Sequence, residues 1–174
     1  MTKPNKLLTI VQRIHRLPTP LQRPALTYAF NSQIKYAGTT GIYIQEWTPD
    51  GATVTLANKK RVQNHIGGIH ATAMATLAES TTGMVFGLHV PDDKLPLLKR
   101  MSLKFVARAE GDLKAVATLP IEMQHQIRTQ ERGSVLVPVK VTDETGKEPI
   151  QCEMEWAWTT KSKKVDNPKP LSKL

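Results

Sequence analysis

A single cysteine, Cys152, stands in the 174 residues. An internal disulfide is therefore excluded, and the usage fits a reducing, cytoplasmic setting. No uninterrupted apolar run approaches the roughly 18–20 residues of a membrane-spanning helix, so no membrane span is expected. The opening "MTKPNKLLTIVQRIHRLPTP" is basic and then apolar. Gln12, Arg13 and His15 interrupt it, and no small-residue cleavage site follows, so it reads as an amphipathic helix rather than a signal peptide. There is no Gly-x-Ser-x-Gly elbow, phosphate-binding loop, Cys-x-x-Cys pair or internal repeat. His65 and His70 have no carboxylate or cysteine at ligand spacing, so neither a metal nor another cofactor is expected. Cys152 alternates with core residues and reads as a small buried hydrophobe.

The net charge of +9 invites a nucleic-acid reading, but its distribution opposes one. Residues 1–23 carry +5 and residues 161–174 carry +4, while 24–160 hold equal numbers of basic and acidic groups. Basicity confined to two ends serves solubility or loose anion contact better than a binding fold, and no nucleic-acid partner is expected.

Apolar periodicity supplies the architecture. Leu7, Ile10, Val11 and Ile14 recur at helical spacing. "PTP" breaks that helix, and a second is expected from about Leu21 to Tyr36. "GIYIQEW" and "ATVTLAN" read as a hairpin across "TPDGA". A basic, glycine-ending loop "KKRVQNHIGG" leads into a long helix over about 70–86. "GLHVPDDKLP" reads as a loop. Four more strands follow: "SLKFVARAE", "DLKAVATL", "SVLVPVKVT" and "IQCEMEWAWTT". Pro138 implies an edge or a bulge in the third of these. "PIEMQHQIRTQERG" suits a short helix. The expected organisation is an N-terminal helical extension (1–36), a main domain (37–160) and a basic tail without fixed structure (161–174). Six antiparallel strands with one apolar face need a cover, and the long helix lies mid-sequence to provide it: an α+β fold with a six-stranded antiparallel sheet wrapped around that helix.

The helix is unusual for what it lacks. From His70 to Phe86 the only charged residue is Glu79. A helix enclosed by a sheet needs no polar stripe, which explains Ala71, Ala73, Ala75, Ala78 and Ser80. A carboxylate there is costly unless partnered, and such groups gather at functional sites. Before the helix, Gly67 and Gly68 permit close approach to a ligand, and the Ala71 and Thr72 N–H groups are candidates to hold an oxyanion.

"N-H-x-G-G-x-H-A-x-x-x-x-x-L-A-E", Asn64 to Glu79, resembles the signature of hotdog-fold acyl-CoA thioesterases. It is closest to the phenylacetate-pathway and hydroxybenzoyl-CoA thioesterase-like groups and to a bacterial branch reading N-H-x-G-T-x-H-A-G. The resemblance covers about residues 35–160 in architecture and 61–83 in motif. It implies a hotdog fold and hydrolysis of an acyl-CoA or other acyl thioester, without a cofactor. Glu79 would be general base or nucleophile. Asn64 would position carbonyl or water, Ala71 N–H would be the oxyanion donor, and His70 would hold the helix entrance. Gly68, Thr72, Thr82, Gly83 and Arg61 would border the substrate. Lys59, Lys60, Lys104 and Arg108 join Arg61 as candidates to meet CoA phosphates. Hotdog sites generally form between protomers, so a homodimer or homotetramer is implied. The chain departs from the pattern with H-A-T in place of H-G-G and with Gly83 where some members have Thr. Two alternatives stand beside hydrolysis: an acyl-binding hotdog protein without turnover, and a hydroxyacyl dehydratase using His65 and Glu79.

Overall fold

The computed structural model describes residues 4–161, so all but the first residue of the expected basic tail lies outside the described residues. Three helices open the chain: α1 (Lys6–Ile14), α2 (Thr19–Gln33) and α3 (Lys35–Thr40). Asn5 caps α1, its Oδ1 accepting from Leu8 N–H at 2.7 Å. The same side chain donates to the carbonyls of Gly87 and Val90 at 2.8 and 2.6 Å, tying α1 to the exit of the central helix. The helix expected over Leu21–Tyr36 is instead two. The chain bends at Ile34 and restarts as α3, which ends on Gly41 with φ +73°. The corner needs Gly38, where a Cβ would lie 2.9 Å from the Asn31 carbonyl oxygen.

The strands are β1 (Tyr43–Trp47), β2 (Gly51–Leu56), β3 (Lys94–Phe105), β4 (Leu113–Thr118), β5 (Gly133–Val137), β6 (Val139–Asp143) and β7 (Ile150–Thr160). They form two antiparallel sheets, ordered β1-β2-β4-β6 and β3-β7-β5. Seven strands replace the six expected because Pro138 divides the fifth. It has no N–H for the ladder, so the chain leaves one sheet there and enters the other. β5 pairs with β7 and β6 with β4, and this one crossing strand bends both sheets round the same core. β3 begins at Lys94, inside the stretch read as a loop, and Pro96 is accommodated because β3 is an edge strand. β3 stops at Phe105, so Ala107 and Ala109 lie beyond it. The short helix α5 (Ile121–Thr129) spans β4 to β5.

The long helix α4 (Ala71–Gly87) lies in the sheet's grip. Leu77, Ala78, Met84, Val85 and Phe86 have no solvent exposure, and Thr81 and Thr82 are equally enclosed. Val54, Leu56, Ala115, Val141, Met154 and Trp158 face it from alternate strand positions, with polar residues between them. The hydroxyls of Thr81 and Thr82 bond back to the carbonyls of Leu77 and Ala78, which makes them tolerable inside. Val11 and Leu26 from the opening helices join the same core. Half-buried Cys152 packs against it, and burial pushes its thiol up to about 11. No described helix is long and apolar enough to cross a membrane.

Candidate active site

Glu79 stands in the third turn of α4, half-buried, at the wall of a cavity of about 750 Å3. α4 contributes Glu79, Ser80, Gly83, Met84 and Gly87, and α1 contributes Leu7, Ile10, Val11 and Ile14. Ala29, Phe30, Ser32 and Gln33 from α2 and Ile34 just after it, with Trp47, Pro96 and Trp156 from the strands, complete a mostly apolar lining. The carboxylate accepts one hydrogen bond, from Ser80 Oγ to Oε2 at 3.3 Å. Among the described residues no Lys or Arg pairs with it. Burial raises its pKa above the ordinary 4.5, and the Ser80 bond offsets part of that.

Two tryptophans frame the cavity through bonds to α4. Trp47 Nε1 donates to the Met84 carbonyl at 2.9 Å, and Trp156 Nε1 donates to Thr82 Oγ1 at 2.9 Å. The Trp156 ring stacks on Phe86 with centroids 5.5 Å apart. Its edge lies over Gly83, where a Cβ would approach within 2.8 Å, so Gly83 is what lets this ring reach the helix. Thr82 does not reach the cavity. Its hydroxyl accepts from Trp156 and lies 3.0 and 2.9 Å from the carbonyls of Ala78 and Glu79, and the residue is fully buried.

The remaining sequence candidates gather at the start of α4. Asn64 organises the loop: its Oδ1 accepts from Ile66 N–H and Gly68 N–H, both at 3.1 Å, while its backbone N–H donates to Gly68 O at 2.8 Å. Gly67 turns the loop with φ +79°. His70 caps the helix, Nδ1 accepting from Thr72 N–H at 3.2 Å and lying 2.8 Å from Thr72 Oγ1. The Thr72 amide is therefore occupied, while the Ala71 N–H has no acceptor among the described residues. His70 and Thr72 line a polar cavity of about 320 Å3 with Arg61, Gln63, Thr39 and Thr40. The Arg61 guanidinium bonds the Thr40 carbonyl at 3.2 Å and lies across Gly41, where any side chain would collide with it. His65 is exposed. Ala71 and Glu79 are eight residues apart on one helix, hence about 12 Å along its axis.

A third cavity, of about 510 Å3, lies between α1 and the residues following α4. There buried His89 accepts from Arg128 at Nδ1 and donates from Nε2 to the Pro49 carbonyl, both at 2.7 Å. Burial lowers its pKa, and both ring nitrogens have partners. Residues 39 apart make this pair, which is why linear spacing did not reveal it. The Glu79 cavity also has a wall built by α1 and α2. Its only signal was the stripe of Leu7, Ile10, Val11 and Ile14, which reads equally well as ordinary packing.

A long helix held by a curled antiparallel sheet is the hotdog architecture. The chain belongs to the family described as Domain of unknown function (DUF4442), which matches residues 23–158. Among solved structures it resembles a Pseudomonas aeruginosa protein, PA5026, described as "Probable Thioesterase". Identity is 24%, with 83% of this chain and 97% of that one covered and a TM-score of 0.71. It also resembles thioesterase HI1161 from Haemophilus influenzae at 17% identity, covering 72% and 82%, with a TM-score of 0.59. A third is thioesterase SAV0944 from Staphylococcus aureus, solved as a glutamine-to-alanine variant, at 14% identity, covering 72% and 98%, with a TM-score of 0.60. Another solved variant of SAV0944 replaces a glutamate fifteen residues after that glutamine. These likenesses establish the fold. No curated protein matches the chain.

Proposed function

We propose that the protein hydrolyses an acyl thioester, with Glu79 as the general base. The observation that carries this reading is the placement of Glu79: a desolvated carboxylate without a cation among the described residues, at the wall of a mostly apolar cavity. Burial raises its pKa, which makes the carboxylate a stronger base than an exposed one. Glu79 takes a proton from water, and the water oxygen attacks the thioester carbon. The tetrahedral intermediate collapses, breaking the C–S bond, and the proton on Glu79 passes to the leaving thiolate. The products are a carboxylic acid and a thiol. In support, the spacing from Asn64 to Glu79 equals that between the two positions replaced in SAV0944.

The oxyanion donor must lie about 3 Å from the carbonyl oxygen, and Ala71 lies about 12 Å from Glu79 along the same helix. One chain cannot bring both to one carbonyl. A second copy running antiparallel can offer its Ala71 N–H to the first copy's Glu79, so the site is completed in a homodimer. The β3 edge supports this, since Leu95, Leu97, Met101 and Phe105 are all exposed along it. Arg61, beside His70 in the polar cavity, then receives a CoA phosphate.

The test is a panel of acyl-CoAs assayed with wild type and Glu79→Ala; equal hydrolysis by both removes Glu79 from the mechanism. A second reading, acyl binding without turnover, draws on the occupied Thr72 amide and the committed Thr82 hydroxyl. Saturable binding of an acyl-CoA with no thiol release selects it.

A further inference from the structure

The Glu79 cavity has a length and a chemistry of its own. Its α4 wall runs through Glu79, Gly83 and Gly87, positions four residues apart on one helix face. The cavity runs as a trough along this face, from the carboxylate toward the helix exit, between the side chains that pack over both glycines. Trp156 borders it at Gly83, and Leu7 closes it at Gly87, where a Cβ would meet Leu7 Cδ2 at 3.2 Å. Opposite lie Ile10 and Ile14 of α1 and Phe30 of α2. Apart from Glu79 and Ser80 at one end, the polar side chains at this cavity are Ser32 and Gln33, on the α2 side. The trough therefore offers nothing along α4 to hydrogen-bond a substituted or polar acyl group.

We infer that this chamber, roofed by α1 and α2, receives an unsubstituted aliphatic acyl chain of on the order of ten carbons, its carbonyl at Glu79 and its methyl end against Leu7. The length of the α4 wall sets the size, and the volume permits it. The trough from Glu79 to Gly87 spans eight residues, about 12 Å of helix, and an extended chain advances roughly 1.2 Å per bond. The volume of about 750 Å3 holds such a chain with room to spare, since a small group such as water occupies roughly 30 Å3. A single aromatic ring falls well short of the length from Glu79 to Gly87. This rests on the thioester reading for the position of the carbonyl but not for the chamber itself.

The test uses the full chain and a series of CoA esters from butanoyl to hexadecanoyl, with phenylacetyl-CoA beside them. kcat/KM rises roughly two- to fourfold per added methylene up to about decanoyl and then levels or falls. Phenylacetyl- or butanoyl-CoA being turned over as well as decanoyl-CoA overturns the inference and leaves hydrolysis standing. Ile10→Arg places a charge on the roof at a position already 47% exposed, so folding is preserved. It lowers kcat/KM for decanoyl-CoA at least about tenfold more than for butanoyl-CoA; an equal loss for both overturns the inference. If no ester is hydrolysed, calorimetry with decanoic acid decides separately. Binding by wild type that Ile10→Arg weakens about tenfold or more upholds the chamber without the hydrolysis. No binding, or equal binding by both, overturns it.

Discussion

Two glutamates show how differently this fold treats a carboxylate. Glu155, on the outer face of β7, is held by Lys99 at 2.7 Å, Ser134 at 2.8 Å and Arg100 at 3.3 Å, and these partners pull its pKa down to about 2. A register shift at Lys99 in β3 allows two consecutive cations to reach it. Glu79 has, among the described residues, the Ser80 hydroxyl alone, and its pKa moves the other way. A carboxylate that serves the sheet is surrounded by donors. One that is desolvated, unpaired and open to a cavity contributes little to folding, and its retention calls for a chemical reason.

The largest effect that can break this comparison is kinetic. Glu79→Gln keeps the shape of the side chain and removes the base, so kcat on the preferred acyl-CoA falls at least about 100-fold. The unfolding midpoint at neutral pH stays equal or rises, because a neutral amide is less costly in that wall. Glu155→Gln gives the opposite pair of results: near-normal kcat and a lower midpoint. A Glu79→Gln enzyme with normal turnover would erase the distinction between the two sites. In the wild type the rate climbs with pH as Glu79 deprotonates, centred above 4.5, and that limb disappears from the residual activity of the variant.

Smaller effects sharpen the picture of what shapes the Glu79 cavity. Gly83→Ala sets a methyl 2.8 Å from the Trp156 ring and costs about 1–3 kcal/mol by urea titration, with reduced acyl-CoA turnover because the ring must shift. His70→Ala removes the cap on Thr72 and costs about 1 kcal/mol. Its kcat stays within a few-fold, as suits a residue that positions the helix start. A loss approaching that of Glu79→Gln would move His70 into the chemistry.

These contrasts also mark what the chain made legible. Glu79 stood out because its neighbours lacked charge, and the enclosure that explains their composition is the observed one. The helix–strand order was readable because alternation and helical spacing are local properties. Pro138 announced an irregularity, but not that the chain would change sheets there, since pairing partners are set by register across the fold. The break at Ile34 was hidden because nothing in the run from Leu21 to Tyr36 is a strong breaker after Pro24. Thr72 and Thr82 looked available only while their partners, His70 Nδ1 and Trp156 Nε1, were unplaced. The chamber was the least readable feature, because the same apolar stripe on α1 serves equally to pack a core or to line a cavity.

The finest prediction sets the two glutamates against each other through pH. Glu155 has a folded pKa of about 2 against an ordinary 4.5, so the stability it contributes is present above 4.5 and is lost as pH falls toward 2. Glu79 is raised, so the folded state holds its proton more tightly than the unfolded state. Its contribution is greatest below 4.5 and is lost as pH rises through the folded value. Urea midpoints followed from acid to neutral pH therefore carry two opposed slopes. Glu79→Gln removes the fall on the neutral side alone. Lys99→Ala, by freeing one of the donors on Glu155, shallows the fall on the acid side alone. The lysine is more than half exposed, so its effect at neutral pH is small, as it is for most surface ion pairs. Parallel wild-type and Glu79→Gln curves above pH 4.5 would mean that solvent reaches Glu79 freely, and the two carboxylates would then differ only in their partners.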